Sequence, residues 1–298
     1  MVGRLHTVAA GFGLAGVLIF AHGCTLPLSV EDLPGPATAT TQSQFSASVN
    51  VTATPDTAQP QGGEEAGALA ALESVIADVE LTFGGKLGIA TASSQGAIAA
   101  GSQDASPAWS TVKVPIAIAA LRTQPHQLVD AELAITVSDN EAAERLFAAS
   151  GAEAVNTVLK EAGVGTPVND VVLRPGFSSF GQTALSVSDE AVLASRFACL
   201  ESADPVLEMM GRIDPSQSYG LGAIEGARFK GGWGPDEAGS YQVRQFGLIP
   251  RHDGTFAPAA LSAFPADGAY ATGQAMLTHA ATTLAAQAQS LPVAECWS

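Results

Sequence analysis

Basic side chains are scarce in this chain of 298 residues, where 13 lysines and arginines stand against 29 acidic residues and leave a formal net charge of −16. Binding to nucleic acid needs a basic surface that neutralises phosphates, so this composition excludes a nucleic-acid partner. No run of like charges is long enough to form an acidic interaction tail. The acidity instead favours solubility outside the cell.

Several catalytic and metal-binding patterns are also lacking. No G-x-S-x-G sequence is present, and none of the five histidines lies in a triad-like context. No spacing of cysteine and histidine indicates a zinc site. We therefore predict neither a metal nor a cofactor.

A hydrophobic run long enough to span a bilayer is missing at the N-terminus, where the apolar stretch extends only from Val8 to Ala21. Arg4 precedes this stretch, and the pattern predicts a signal peptide over residues 1–23. Ala21-His22-Gly23 then leads to Cys24, which resembles a bacterial lipoprotein cleavage box with unusual residues at its first two positions. We predict an exported protein of a bacterial cell envelope, anchored to the outer face of the membrane by a lipid on Cys24. Plain secretion and an uncleaved anchor are the alternatives.

Cysteine is scarce, with three in all, and a lipid on Cys24 would leave Cys199 and Cys296 as a pair. An oxidising exported environment predicts a disulfide between them, which would tie the C-terminus to the helical region. Two buried free thiols are the alternative.

The content of 47% hydrophobic residues suffices for one large domain or two closely packed lobes. The stretch from Pro34 to Gly63 is rich in Thr, Ala, Ser, Gln and Pro and has no periodicity, so we predict a disordered linker over residues 24–63. The folded domain would then cover residues 64–298.

Periodicity predicts the elements of this domain. Helices are expected over 66–81, 128–148, 152–162, 186–199 and 272–289, and one begins at Ser110. Strands are expected over 87–92, 97–100, 227–230, 241–249 and 257–264.

Three short motifs follow one another along the chain. Ser110-Thr111-Val112-Lys113 reads as S-x-x-K, Ser138-Asp139-Asn140 as S-D-N, and Lys230-Gly231-Gly232 as a variant of K-T-G. The segment Leu128–Gly163 also reads like a complete S-D-N helix-turn-helix. In this order and context the chain resembles the class A β-lactamases and penicillin-binding proteins.

The resemblance implies an α+β, transpeptidase-like fold: a five-stranded antiparallel sheet flanked by helices, plus a reduced all-helical lobe. The sheet lobe would cover about 64–113 and 218–298, and the helical lobe about 114–217. The active site would lie at their junction.

The resemblance also implies the roles of the motif residues. Ser110 would be the nucleophile and Lys113 its base. Ser138 would relay a proton to the leaving group, and Asn140 would bind the substrate amide and Lys113. Lys230 would attract a substrate carboxylate. Further expected substrate-binding residues are Gly231, Gly232, Trp233 and Arg244, with the N–H groups of Ser110 and Trp233 as oxyanion donors.

The residues themselves support part of this chemistry. A serine at a helix N-terminus lies at the positive end of the helix dipole, and a lysine three residues later shares its helix face. A lysine whose pKa is lowered by its pocket can accept the serine proton. Taken alone, Ser110 would be an N-cap and Lys113 a solvated surface lysine. Asp139 is expected to brace its turn.

The chain departs from the family pattern at three places. Only 28 positions separate Ser110 from Ser138 (138 − 110), roughly half the family's spacing. The loop 171–187 contains no acidic residue, although class A members carry their water-activating glutamate there. Losing such a base typically costs 10² to 10⁴-fold in rate, so we expect slow or no turnover of β-lactams.

The third departure is Gly231, which replaces the hydroxyl residue of K-T-G. Losing its hydrogen bond to a substrate carboxylate would cost about 1.5–3 kcal/mol. Arg228 or Arg244 could compensate, or either could be a surface ion-pair partner. An aromatic cleft wall is expected from Trp233, Phe177 and Phe180, with ordinary core packing as the alternative.

Two functional hypotheses follow. The first is an exported serine hydrolase or acyl-transferase that acts on a small molecule or a peptide, such as a peptidoglycan-derived peptide, another amide or an ester. The second is a catalytically inactive envelope lipoprotein that binds a wall peptide or a protein partner. The altered K-G-G and the missing loop glutamate favour the second, and the intact Ser110, Lys113, Ser138 and Asn140 favour the first.

Overall fold

The computed structural model describes residues 61–297 of the chain. The predicted signal peptide (1–23), Cys24 and most of the predicted linker (24–63) lie outside the described residues. The last three linker positions, 61–63, are described and form the beginning of the first helix, so the linker prediction is wrong for them. Within 61–297 no helix has both the length and the apolar character needed to cross a membrane.

The described part of the chain alternates helices and strands in an α+β arrangement. The helices are α1 (Gln61–Phe83), α2 (Lys113–Thr123), α3 (Leu128–Thr136), α4 (Asn140–Glu161), α5 (Val187–Ser195), α6 (Asp204–Met210) and α7 (Tyr270–Ala285). The strands are β1 (Lys86–Ser93), β2 (Gly96–Gly101), β3 (Ser106–Pro107), β4 (Ala184–Leu185), β5 (Arg228–Pro235), β6 (Tyr241–Pro250) and β7 (Phe256–Phe264).

Five strands form one antiparallel sheet in the order β2-β1-β7-β6-β5, which confirms the expected fold class. β5 lies at the edge of this sheet and, among the described strands, has β6 as its one partner, so Gly231 faces Gln245 and Gly232 faces Arg244. The K-G-G motif therefore runs along an open sheet edge, where a backbone can meet another segment or a ligand.

Two hydrophobic cores hold the helices against the sheet. One face is covered by α1 and α7, through residues such as Leu72, Leu261 and Met276. The other core joins α5 and the helices α2, α3, α4 and α6, through residues such as Ile116 and Leu193. Helices on both faces explain why β6 is buried along nearly its whole length.

The helix predicted over 128–148 is wrong at its centre, because the chain breaks at 137–139 into α3 and α4. Ser138 has a φ of +60°, a left-handed conformation that cannot continue an α-helix. Asp139 then caps α4 by accepting a hydrogen bond from Ala142 N at 2.7 Å. The break therefore places the S-D-N motif between two helices rather than inside one. Further along the chain, Gly151 has a φ of +75° and kinks α4.

The strand predicted over 227–230 is too short, since β5 continues through its glycines to Pro235. A Cβ on Gly234 would lie 2.5 Å from ring atoms of Trp109, so only glycine lets the indole lie against the strand. Glycine is a weak strand former, and close packing rather than propensity therefore explains these residues in β5.

The C-terminal segment is fastened to the end of α5. Cys199 and Cys296 form a disulfide, which confirms the predicted pair. Glu295 adds a backbone hydrogen bond from its N–H to Ser195 O at 2.6 Å and an ion pair with Arg196 at 3.1 Å. The bridge closes a long loop of 97 positions, which restricts the unfolded chain and stabilises the fold.

Candidate active site

Ser110 lies on a short 3₁₀ turn, Trp109–Val112, that leads directly into α2. Its neighbours Trp109, Thr111 and Val112 are buried, whereas Ser110 itself is half-buried. Trp109 has a φ of +53°, which is unusual for a large side chain. The turn thus presents the Ser110 side chain from an otherwise buried and constrained segment.

Lys113 begins α2 and is 1% exposed. Its Nζ donates to Ser138 O at 2.6 Å and to Asn140 Oδ1 at 2.7 Å, and it lies 3.4 Å from Ser138 Oγ. Burial lowers the pKa of Lys113 to about 8, although the charges of Asp139 and Glu144 act in the opposite direction. An amine with this pKa is partly neutral near neutral pH and can accept a proton.

Lys230 reaches the same serine from β5. Its Nζ is fully buried and donates to Ser138 Oγ at 2.9 Å and to Gly231 O at 2.9 Å. Burial, reinforced by the nearby charge of Lys113, lowers the pKa of Lys230 well below its usual range. Ser138 Oγ therefore lies between two buried amines.

The structure brings the three motifs together at the junction of α2, the α3–α4 break and β5. Among the described residues, the hydrogen bonds of Lys113 Nζ go to the S-D-N segment and none joins it to Ser110 Oγ. Catalytic hydrogen bonds are often long before substrate binds and tighten in the complex. The arrangement of Lys113 is thus compatible with a base that acts on Ser110 once the site is occupied.

β5 packs tightly against the Ser110 turn at Gly232. A Cβ there would lie 2.7 Å from Ala108 O and 2.8 Å from Ser110 N, so no larger residue fits without displacing the turn. This contact brings the Ser110 N–H next to the strand that carries Trp233. Trp233 is half-buried, and its ring packs 5.5 Å from that of Tyr270.

Gly231 has no side chain where the K-T-G motif has a hydroxyl residue, and Tyr219 lies close to this position. A Cβ on Gly231 would lie 3.5 Å from Tyr219 Oη. This hydroxyl is buried and faces the Tyr270 hydroxyl, which is close enough to act as a weak hydrogen-bond acceptor although the contact falls outside strict hydrogen-bond geometry. Burial raises the pKa of Tyr219, and the neighbouring Tyr270 hydroxyl acts in the same direction, so the Tyr219 hydroxyl stays protonated. The segment before it is fixed beside the S-D-N break by Gln217 Nε2, which donates to Val137 O at 2.8 Å.

Arg244 does not fit the expected substrate-binding role. Its side chain is 0% exposed and pairs with the equally buried Glu190 at 2.8 Å. Its remaining N–H groups donate to backbone carbonyls, among them those of Pro107 at 3.0 Å and Leu185 at 3.1 Å. With its donors satisfied inside the protein, the guanidinium is not available to a ligand. The surface ion-pair alternative is also wrong, because the pair is buried.

Arg228, the other arginine that could have compensated for Gly231, also packs away from that glycine. The Arg228 guanidinium lies over the rings of Phe256 and Trp297, at 5.5 and 5.3 Å from their centroids. This places it on the C-terminal segment rather than at Gly231. Tyr219 is therefore the group that the structure offers at the missing hydroxyl, and no motif in the sequence indicated it.

The aromatic residues expected in the cleft wall divide into two groups. Phe180 is fully buried and packs 5.4 Å from Phe147, which is ordinary core packing. Phe177 packs edge-on against Trp109 at 5.4 Å and lies under the guanidinium of Arg174 at 4.7 Å. Arg174 Nη1 donates to Pro235 O at 2.7 Å, so this loop is joined to the end of β5.

Sequence reasoning missed a further buried residue beside the nucleophile. Glu190 Oε1 accepts a hydrogen bond at 2.5 Å from Oγ1 of Thr111, the residue that follows Ser110. The only available signal was Ser186, which forms a capping box with Asp189 and fixes where α5 begins. An acidic residue in a first helical turn is normally solvated, so its burial was not predictable. No group of three or more metal-ligating side chains occurs within 61–297.

Several solved class A β-lactamases are similar to the chain in structure. The TLA-3 extended-spectrum β-lactamase has a TM-score of 0.58 at 14% identity, and the match covers 72% of this chain and 98% of that one. The β-lactamase from Sphaerobacter thermophilus has a TM-score of 0.57 at 20% identity, covering 74% and 97%. A class A β-lactamase from Mycobacterium abscessus has a TM-score of 0.56 at 16% identity, covering 73% and 98%.

These similarities show a β-lactamase-like fold. No protein-family model matches the chain, and neither does any curated protein. At such low identity the likeness extends to the fold alone, so the reaction has to be argued from the side chains of the site.

Proposed function

We propose that this chain is an exported serine hydrolase or acyl-transferase in which Ser110 is the nucleophile. The observation that carries the proposal is the convergence of Lys113 and Lys230 on Ser138 Oγ, beside the turn that presents Ser110. Two buried amines around one hydroxyl are costly for stability, because burial disfavours their charged forms. Such a cluster is expected at a site that moves protons.

In the proposed reaction, neutral Lys113 takes the proton of Ser110 Oγ as the oxygen attacks a substrate carbonyl. With a pKa of about 8, roughly one-tenth of Lys113 is neutral at pH 7. The N–H groups of Ser110 and Trp233 stabilise the oxyanion. Ser138 gives its proton to the leaving group as the bond to the substrate carbonyl breaks, and it regains a proton from protonated Lys113, 3.4 Å away. Lys230 assists this transfer, and an acyl group stays on Ser110 Oγ.

We propose slow or no turnover of β-lactams because the loop 171–187 offers no carboxylate for the deacylating water. The carboxylates that act on Lys113 are those of Asp139 and Glu144. Asp139 caps α4, whereas Glu144 is exposed one helical turn after Asn140 and is free to assist a water. An exposed carboxylate is a weaker substitute for a buried base, so hydrolysis would be slow.

The substrate class we propose is a cell-wall peptide, an amide or an ester. Lys230 would attract an anionic group of the substrate. Tyr219 Oη, 3.5 Å from where a Cβ of Gly231 would lie, is the hydroxyl nearest to the one that Gly231 lacks, and a shift of the Tyr219 side chain would let it reach the substrate. The acidity of the chain and the disulfide Cys199–Cys296 support export to an oxidising compartment. Lipidation of Cys24 is part of the proposal, and a lipid-probe label lost in Cys24→Ser would test it.

The test of the nucleophile is intact-protein mass spectrometry after incubation with a fluorophosphonate, with Ser110→Ala as the control. We expect a single adduct that is absent in the control. A folded protein that forms no adduct would favour the second candidate, a binding lipoprotein, for which Gly231 and the missing loop glutamate are the supporting observations.

A further inference from the structure

A buried ion pair contacts the 3₁₀ turn that carries Ser110. Glu190 on α5 and Arg244 on β6 are both 0% exposed, with Arg244 Nη2 at 2.8 Å and Nε at 3.2 Å from Glu190 Oε2. The second carboxylate oxygen, Oε1, accepts the hydrogen bond from Thr111 Oγ1. The pair therefore contacts the residue that follows Ser110 in the chain.

The same ion pair also holds the segment that precedes Ser110. Arg244 Nη1 donates to Ser106 O at 3.1 Å and to Pro107 O at 3.0 Å. Thr111 Oγ1 also lies 2.6 Å from Ala108 O, so its single proton is shared between this carbonyl and Glu190 Oε1. One buried unit thus fastens the backbone on both sides of Ser110.

The turn needs this restraint because its geometry is unfavourable on its own. The left-handed φ of Trp109 persists only if its surroundings impose it. The close contact of Gly232 with Ser110 N leaves little room for the turn to shift. A misplacement of about 1 Å at a reacting group can reduce a rate by about 10²-fold.

Stability does not explain why charged residues are used here. A buried ion pair is often no more stabilising than a well-packed apolar pair of similar volume, but its directional hydrogen bonds fix the positions of its neighbours. We propose that Glu190, held by Arg244 and acting through Thr111, is a positioning residue that sets the orientation of Ser110. This inference rests on the proposed role of Ser110 as nucleophile.

The experiment compares the full chain with Thr111→Val, which keeps the volume of the side chain but removes its hydroxyl. The rate of fluorophosphonate labelling is measured over a range of probe concentrations, which separates the maximal rate kinact from the half-saturating concentration KI. We expect kinact to fall about 10- to 100-fold while KI changes less than about twofold, because positioning acts on the reacting atoms.

Two further variants distinguish positioning from general destabilisation. Thr111→Ser restores the hydroxyl and should restore kinact. Thr91→Val removes another fully buried threonine hydroxyl, whose bond to Pro258 O is 2.7 Å, on β1 away from the Ser110 turn. It should lower the thermal midpoint about as much as Thr111→Val and leave kinact unchanged.

The outcomes separate this inference from the proposed function. If the parent protein is labelled and Thr111→Val retains its kinact within about twofold, the positioning role is overturned. An equal fall of kinact in Thr91→Val would overturn it as well. Absence of labelling in the parent protein itself would refute the role of Ser110, and with it both claims.

Discussion

Two clusters of buried charge contact the segment around Ser110, and they are built in opposite ways. Lys113 and Lys230 are surrounded by neutral oxygens, and within 61–297 neither makes a contact with a carboxylate that qualifies as a salt bridge. Glu190 and Arg244 instead pair with each other and satisfy their remaining groups on the backbone. The unpaired lysines have lowered pKa values and can exchange protons, whereas the matched pair is suited to holding geometry.

The largest effect is expected from removing the base of the lysine cluster. Lys113→Met should lower the rate of fluorophosphonate labelling by about 10² to 10⁴-fold, because general-base assistance is lost. Lys160→Met, an exposed position on the last turn of α4, is the matched control and should label like the parent. Comparable labelling of Lys113→Met and the control would exclude Lys113 as the base.

A large effect on stability is expected from breaking the matched pair. Glu190→Gln leaves Arg244 buried without a counter-charge, which should lower the free energy of unfolding by about 3–5 kcal/mol. Glu295→Gln removes a half-exposed ion pair with Arg196 and should cost less than about 1 kcal/mol. Urea denaturation measures the free energy of unfolding of both variants. Equal losses of stability would contradict the view that the buried pair matters more than the half-exposed one.

The lysine cluster also predicts a pH dependence. The labelling rate should rise about tenfold per pH unit while Lys113 is mostly protonated, and it should level off above its pKa of about 8. Because the folded-state pKa lies below the ordinary value of 10.5, the unfolded chain binds more protons between these pH values. The contribution of Lys113 to stability should therefore increase from pH 8 towards 10.5. A labelling rate independent of pH between 6 and 9 would contradict the lowered pKa of about 8.

The smallest effect is expected at the edge of the lysine cluster, at Tyr219. Tyr219→Phe should weaken acylation by a carboxylate-bearing probe about 10- to 100-fold, the value of one hydrogen bond to a charged group. Labelling by a fluorophosphonate, which lacks a carboxylate, should not change. Adding Gly231→Ser should recover the loss, since a Cβ on Gly231 meets only ordinary contacts. Equal loss for both probes would argue against a role in recognising the carboxylate.

Much of the fold could be predicted because its signals are local. The hairpin of β1 and β2, strands β6 and β7 and the first helix follow from periodicity, and the cysteine pair follows from counting. The break at Ser138 was missed because its left-handed backbone opposes a strong helical pattern on both sides. The extension of β5 through Gly232 and Gly234 was missed because contacts with Ala108 and Trp109 decide it.

The residues of the candidate site likewise divide into those that local motifs reveal and those that only long-range contacts bring into place. Ser110, Lys113, Ser138, Asn140 and Lys230 are recognisable because their order and spacing form motifs. Arg244 was misassigned, since its partner Glu190 lies 54 positions away in sequence and neither residue belongs to a motif. Tyr219 was missed for the same reason: only the folded chain brings its hydroxyl to Gly231. Long-range pairing of single residues leaves no local pattern.

The lifetime of the acyl adduct formed with benzylpenicillin, followed by intact-protein mass spectrometry with Ser110→Ala as the blank, decides whether the site lacks an efficient deacylating base. We expect an adduct that forms on the parent protein and decays slowly, and that decays more slowly still in Glu144→Gln. Rapid loss of the adduct with many turnovers of penicillin would contradict the claim that the site acylates without an efficient deacylating base.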